Sequence, residues 1–190
     1  MKVGLYFGTF NPIHIGHLAI ANYMLEYAGI DKLWFVVSPQ NPFKNKKHLL
    51  QDYHRLQLVN QAIDDDFRFA ASSIEFNLPK PSYTIDTLTY MHEKYPQHDF
   101  WLIVGSDNLD SFHKWKNYEE LLANYNILVY PRPGFQGSEW LNHPHVHLVD
   151  APLMEISASF IRKAIKEGRD IRHFVPQKTW KYLTEMNFYK

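Results

Sequence analysis

The chain has 190 residues, 45% of them hydrophobic and 16% aromatic, with 20 basic side chains against 20 acidic ones and no cysteine. That apolar content sustains a packed core, and zero net charge without a basic run argues against nucleic acid or an anionic membrane as partner. The missing thiol removes disulfides, thiolate catalysis and cysteine-held metals.

Residues 2–7 form the first apolar run, too short for a signal peptide, and no later run matches a bilayer. One soluble, cytoplasmic domain over 1–190 is expected. The first run reads as a buried strand, followed by the loop Gly8 to His14. Leu18, Ala21, Leu25 and Ala28 then recur at helical spacing, with Gly29 as a C-terminal stop. Leu33–Val37 reads as a second strand, broken by Pro39 and Pro42, and a helix over Leu50–Ile63 presents Leu56, Val59 and Ile63 on one face.

Residues 67–76 read as a strand, and Thr84 as the N-cap of a helix that ends near Tyr95, before Pro96. Phe100–Val104 is the next buried strand. A short helix near Tyr118–Ala123, a strand at Ile127–Tyr130, a loop at 131–137 and a strand at Val146–Val149 follow. Two helices close the chain, near 158–167 and 177–186. Apolar strands alternating with helices predict an α/β fold: a doubly wound parallel sheet, Rossmann-like, with a small C-terminal helical part. Ligands in such folds sit beyond the C-terminal strand ends, where strand order reverses.

The loop Gly8-Thr9-Phe10-Asn11-Pro12-Ile13-His14-Ile15-Gly16-His17 carries the most information. Gly8 and Gly16 let backbone approach a ligand, and a helix N-terminus favours an anion. His14 and His17, three apart, can face that anion together. A zinc site lacks the zincin glutamate and a third ligand. G-x-G-x-x-G and Walker A patterns are absent, and capping histidines with a turn glycine would explain either histidine but not the whole string.

The string resembles the signature of the HxGH nucleotidyltransferase superfamily, G-x-F-D-P-x-H-x-G-H. Phe7 replaces a first glycine and Asn11 the usual aspartate. Ile156-Ser157-Ala158-Ser159-Phe160-Ile161-Arg162 resembles its second signature, I-S-x-T-x-x-R, where hydroxyls and arginine hold the β- and γ-phosphates of ATP. Gly105-Ser106-Asp107 resembles its G-x-D, with glycine admitting adenosine and the carboxylate accepting from ribose. Read alone, the second motif is a capped surface helix and Asp107 an N-cap.

Ser82-Tyr83-Thr84-Ile85-Asp86-Thr87-Leu88 and Gly105–Leu109 followed by Trp115 and Tyr118 are similar to the bacterial nicotinate-mononucleotide adenylyltransferase branch. Arg132-Pro133-Gly134 and Asp150-Ala151-Pro152 match it too. The resemblance implies transfer of AMP from ATP to nicotinate mononucleotide, with magnesium bound through the ATP phosphates. It implies catalytic roles for His14, His17 and Arg162, and ATP contacts from Gly8, Thr9, Phe10, Gly16, Gly105, Asp107, Ile156, Ser157 and Ser159. Acceptor contacts fall to Ser82, Thr84, Trp115, Arg132 and Lys44, with Lys46 and Lys47 equally available.

No metal-ligating side chain is assigned. Asp64-Asp65-Asp66 reads as a solvated turn, and His143, His145 and His147 lack a carboxylate or cysteine to complete a site. Trp115, in a polar neighbourhood, is expected to stack on the pyridine ring and stay out of the core; core packing is the rival reading. Phosphopantetheine adenylyltransferase, or a silent nucleotide-binding module of the same fold, remains an alternative, and a homo-oligomer is compatible with the sequence.

Overall fold

The computed structural model describes residues 1–39, 49–134 and 139–190. Among these, six strands form one sheet: β1 (Lys2–Gly8), β2 (Lys32–Val37), β3 (Phe69–Ser72), β4 (Asp99–Gly105), β5 (Asn126–Tyr130) and β6 (Val146–Leu148). Their order is β3-β2-β1-β4-β5-β6, and every neighbouring pair runs parallel. The predicted α/β fold is therefore present, with strand order reversing between β1 and β4.

Side chains alternate across the sheet into two apolar layers. Tyr6, Phe35 and Leu128 face a core closed by α1 (Ile15–Tyr27), α2 (Asp52–Ile63) and two C-terminal helices. Leu5, Leu102 and Val129 face the opposite core, closed by α3 (Thr84–Lys94), the single turn α4 (Ser106–Leu109) and α5 (Tyr118–Asn124). Central strands buried on both faces are why their sequences are continuously apolar. The C-terminal helices, α6 (Ala158–Lys166) and α7 (Gln177–Glu185), bring Ile161, Ile165 and Leu183 to the first core.

Three sequence expectations shift. In α1 the fully buried face is Gly16, Ile20, Ala21 and Met24, while Leu18, Leu25 and Ala28 are half-buried at its margin. The helix is apolar nearly all round, so spacing alone does not select the face. The strand expected over 67–76 pairs only at Phe69–Ser72; the chain then turns into a 3₁₀ helix at Ile74–Asn77. Thr84 is the first helical residue of α3, and Tyr83 occupies the cap position with no side-chain cap bond. Ser157 does cap α6, its hydroxyl accepting from the Phe160 N–H. No helix among the described residues is long and apolar enough to cross a membrane.

Candidate active site

At the reversal point β1 ends at Gly8 and β4 at Gly105, and a cleft of about 830 Å³ opens between their C-terminal ends. That is the size range of small-ligand pockets, at the place where this sheet topology leaves a crevice. The cleft is lined from the first loop, the β4 end, the start of α3 and the start of α6. It therefore gathers all the described candidate segments except Gly16, which does not line it directly.

In the first loop the glycines make room for the loop's own rings. A Cβ on Gly8 would meet the Phe10 ring at 2.8 Å, and one on Gly16 would meet Nδ1 of His14 at 3.1 Å. Phe10, at φ 44, turns its ring inward, edge-on to Tyr6, His17 and Phe35, and is 2% exposed. Gly8 and Phe10 shape the turn, and both still line the cleft.

His14 and His17 stack, ring centroids 3.7 Å apart and planes 28° off parallel. The backbone N–H of His14 donates to Nδ1 of His17 at 3.2 Å. A neutral His17 ring with an accepting Nδ1 carries its proton on Nε2, which makes that nitrogen a donor. His14 is 4% exposed. Burial, reinforced by the Arg132 charge, pushes its pKa down to about 4, so the imidazole is neutral at pH 7.

The two ends of the sequence meet here. Arg162 donates through Nη1 to the Asn11 carbonyl at 2.8 Å and through Nη2 to the Ser159 hydroxyl at 3.2 Å. Asn11 Oδ1 in turn accepts from the Leu50 N–H at 3.2 Å and the Tyr189 hydroxyl at 2.5 Å. Ile156 lies against Gly16, and Ser157 and Ser159 are exposed on the cleft wall.

Beneath the loop lies a residue that the sequence reading passes over. Arg55 has no exposed side-chain surface. Its guanidinium donates to the carbonyls of Thr9 (2.7 Å), Ser38 (2.7 Å), Leu50 (3.0 Å) and Pro39 (3.3 Å), and pairs with Asp52 at 2.6 Å. On α2 it belongs to the buried row with Leu58, Val59, Ala62 and Ile63. An arginine on an apolar helical face is the signal that could have exposed it, since buried arginine needs partners.

At the β4 end, Gly105 leaves the space that Asp107 Oδ1, the Arg132 stem and the Tyr130 ring occupy. Gly105 itself lines the cleft beside them. Asp107 is exposed and lies 3.7 Å from Arg132 Nε. Arg132 sits 5.5 Å over the Tyr130 ring, and its N–H donates to the buried Ser106 hydroxyl at 2.8 Å. Tyr130 and Tyr6, both buried on the cleft floor, share a hydroxyl contact of 3.2 Å.

The α3 end of the cleft holds Ser82, Tyr83, Thr84 and Trp115. Trp115 both lines the cleft and packs on the second core, 5.2 Å from the buried Phe112 ring, so the expectation that it stays out of the core fails. Glu75, delivered by the 3₁₀ helix after β3, also reaches the cleft. It is 2% exposed, and its Oε1 accepts from the Thr87 hydroxyl at 2.8 Å. Burial pushes its carboxyl pKa up, against the opposing pull of the Ser38 and Thr87 hydroxyls. Lys44, with Lys46 and Lys47, lies outside the described residues.

Comparison with known proteins gives a consistent set of relatives. A family model described as cytidylyltransferase-like matches residues 5–164. A Flavobacterium johnsoniae protein named "probable nicotinate-nucleotide adenylyltransferase" is 53% identical, with 100% of each chain covered. A Bacteroides fragilis protein of the same name is 49% identical over 97% of this chain and 92% of its own. Among solved structures, the Plasmodium falciparum nicotinic acid mononucleotide adenylyltransferase complexed with NaAD superposes with a TM-score of 0.82. It covers 99% of this chain and 97% of that one at 21% identity, a likeness of fold.

Proposed function

The chain belongs to the cytidylyltransferase-like family, and we propose that within it the protein transfers AMP from ATP to nicotinate mononucleotide, giving nicotinate adenine dinucleotide and pyrophosphate. The observation that carries the reading is the junction of the two signatures. Arg162 bonds to the Asn11 carbonyl in the loop that presents the stacked histidines, so one cleft wall holds all three.

The reaction is an in-line displacement. An acceptor phosphate oxygen forms a bond to the α-phosphorus of ATP as the bond from that phosphorus to the β-phosphate bridging oxygen breaks, and pyrophosphate leaves. A phosphate is already a nucleophile at neutral pH, so alignment and charge neutralisation supply the catalysis. His17 donates through Nε2 to the α- or β-phosphate oxygens. His14, neutral and enclosed beside it, adds a donor without the desolvation cost of a fixed charge. Arg162, Ser157 and Ser159 hold the leaving pyrophosphate at the start of α6.

Asp107, at the β4 end, accepts from the adenosine ribose hydroxyls. The assignment of Arg132 to the acceptor is replaced by one at the adenosine end, because its stem packs with Gly105, Asp107 and Tyr130. Thr84 and Ser82 serve the acceptor, with Trp115 offering an aromatic face to the pyridine ring. Magnesium would come with the ATP phosphates, and no protein side chain is assigned to it. When bound it neutralises charge on the triphosphate.

Pyrophosphate release with ATP and a panel of acceptors tests the reading. Nicotinate mononucleotide should exceed its amide, phosphopantetheine and glycerol phosphate in kcat/KM, because the N–H groups at the start of α3 suit a carboxylate. Equal or better use of the amide removes the nicotinate assignment. A phosphopantetheine preference moves the chain to another acceptor class, and silence with all four leaves a binding module.

A further inference from the structure

Glu75 has one carboxyl oxygen engaged and one idle. Oε1 takes the Thr87 hydroxyl, while Oε2 is buried and makes no hydrogen bond of normal geometry, although the Ser38 hydroxyl lies close enough to hold the carboxyl pKa down. The Ser82 hydroxyl, 8% exposed as a residue, is likewise buried and unpartnered. Both residues line the cleft at its acceptor end, beside Thr84 and Trp115. Two buried, unpaired polar atoms lining one cleft are costly unless a ligand completes them.

We propose that Glu75 and Ser82 form a subsite for the ribose hydroxyls of the acceptor mononucleotide, a specificity element that rests on the function proposed above. The surroundings select the ligand chemistry. The groups facing the Glu75 carboxyl are the Thr87 and Ser38 hydroxyls. A cation would need that buried carboxyl fully ionised, whereas an anion would be repelled by any ionised fraction. An alcohol fits either state, because a hydroxyl both donates and accepts. Ser82 has the same dual capacity, so a vicinal diol matches the pair. Thr87 holds Glu75 from the helix whose first turn carries Thr84, which fixes the subsite relative to the pyridine end.

The experiment combines acceptor analogues with variants. Wild type, Glu75→Gln and Ser82→Ala are assayed for pyrophosphate release with ATP and either nicotinate mononucleotide or its 2′-deoxy and 3′-deoxy analogues. Glu75→Gln keeps an oxygen for Thr87, and Ser82→Ala removes a buried unpaired hydroxyl and should melt no lower than wild type. For wild type, removing the recognised hydroxyl should lower kcat/KM about tenfold or more. Each variant should lose a similar factor with the ribose acceptor, lose little further with the deoxy analogue, and keep its KM for ATP. Variant and analogue losses that multiply independently, or variants indifferent to both, overturn the subsite. A wild-type protein that releases no pyrophosphate with nicotinate mononucleotide overturns the proposed function, and the subsite with it.

Discussion

The Tyr189 hydroxyl donates to Oδ1 of Asn11 at 2.5 Å across 178 positions of sequence, fastening the C-terminal segment to the loop that carries both histidines. Tyr189 is half-buried there, and burial pushes its phenol pKa far up, so it remains a donor at every working pH. Tyr189→Phe removes the Tyr189 donor from Asn11 Oδ1 while the Leu50 N–H bond stays. It should lower unfolding free energy by about 1–2 kcal/mol in a urea titration. Asn11→Asp keeps an acceptor for both donors and should lose less than half as much. Equal losses would show that the amide, not the shared oxygen, matters.

His14 ties stability to pH. Its folded pKa of about 4 lies below the ordinary value of 6.5, so the folded chain binds fewer protons between those limits. The neutral-ring contribution is whole above pH 6.5 and drains as pH falls toward 4, by up to about 3 kcal/mol. Urea unfolding of wild type and His14→Gln from pH 8 to pH 4.5 checks this. The difference between them should change through that window, and parallel curves would contradict it.

His17→Ala should lower kcat about 100- to 1,000-fold, with a much smaller change in ATP affinity, because its donor strengthens as charge moves to the leaving group. Arg162→Ala should lose more ATP affinity and also loosen the first loop, since its Nη1 is bound to the Asn11 carbonyl. Steady-state kinetics with a separate ATP-binding titration distinguish the two patterns. Near-normal turnover in His17→Ala would remove it from the chemistry.

Trp115→Ala should act on both binding and folding. Stacking loss raises KM for the mononucleotide roughly 5- to 150-fold while KM for ATP holds. The ring is half-buried against Phe112, so stability should also drop, by about 1–3 kcal/mol, short of the 3–5 typical of a fully buried tryptophan. Thermal melting and the two Michaelis constants read the effects separately. An unchanged acceptor constant leaves core packing as its role.

Much of this was legible in the residues. The central strands announced themselves because burial on both faces demands uninterrupted apolar runs, and the paired motifs marked the cleft before any geometry was known. Legibility failed where a residue's partner is main chain. Arg55 stands in the apolar row of α2, which marks it as buried, but the carbonyls it serves leave no sequence trace. Glu75 was hidden inside an apparent strand: the 67–76 run has strand composition, yet pairing stops at Ser72 and a tight turn re-aims the carboxyl. Trp115 misled because charged neighbours suggested a wet site, while one ring face still packs on Phe112.

Arg55→Lys tests the hidden anchor. An ammonium has three donors where the guanidinium meets five acceptors, so at least two groups lose their partner, a cost of about 2–4 kcal/mol. Turnover should fall as well, since the Thr9 carbonyl is released next to the histidine loop. Chemical unfolding and kcat measure the two losses, and a variant as stable and active as wild type would deny the anchor its role.

Four of the five groups that Arg55 serves are carbonyl oxygens, which every amino acid supplies. Positions 9, 38, 39 and 50 can therefore change side chain under mutation and still meet the guanidinium, so long as the backbone keeps its course. Position 55 has no such freedom. Selection acting on the geometry of three separate segments is concentrated on one codon, and drift there would be punished while drift at its partners passes largely unseen.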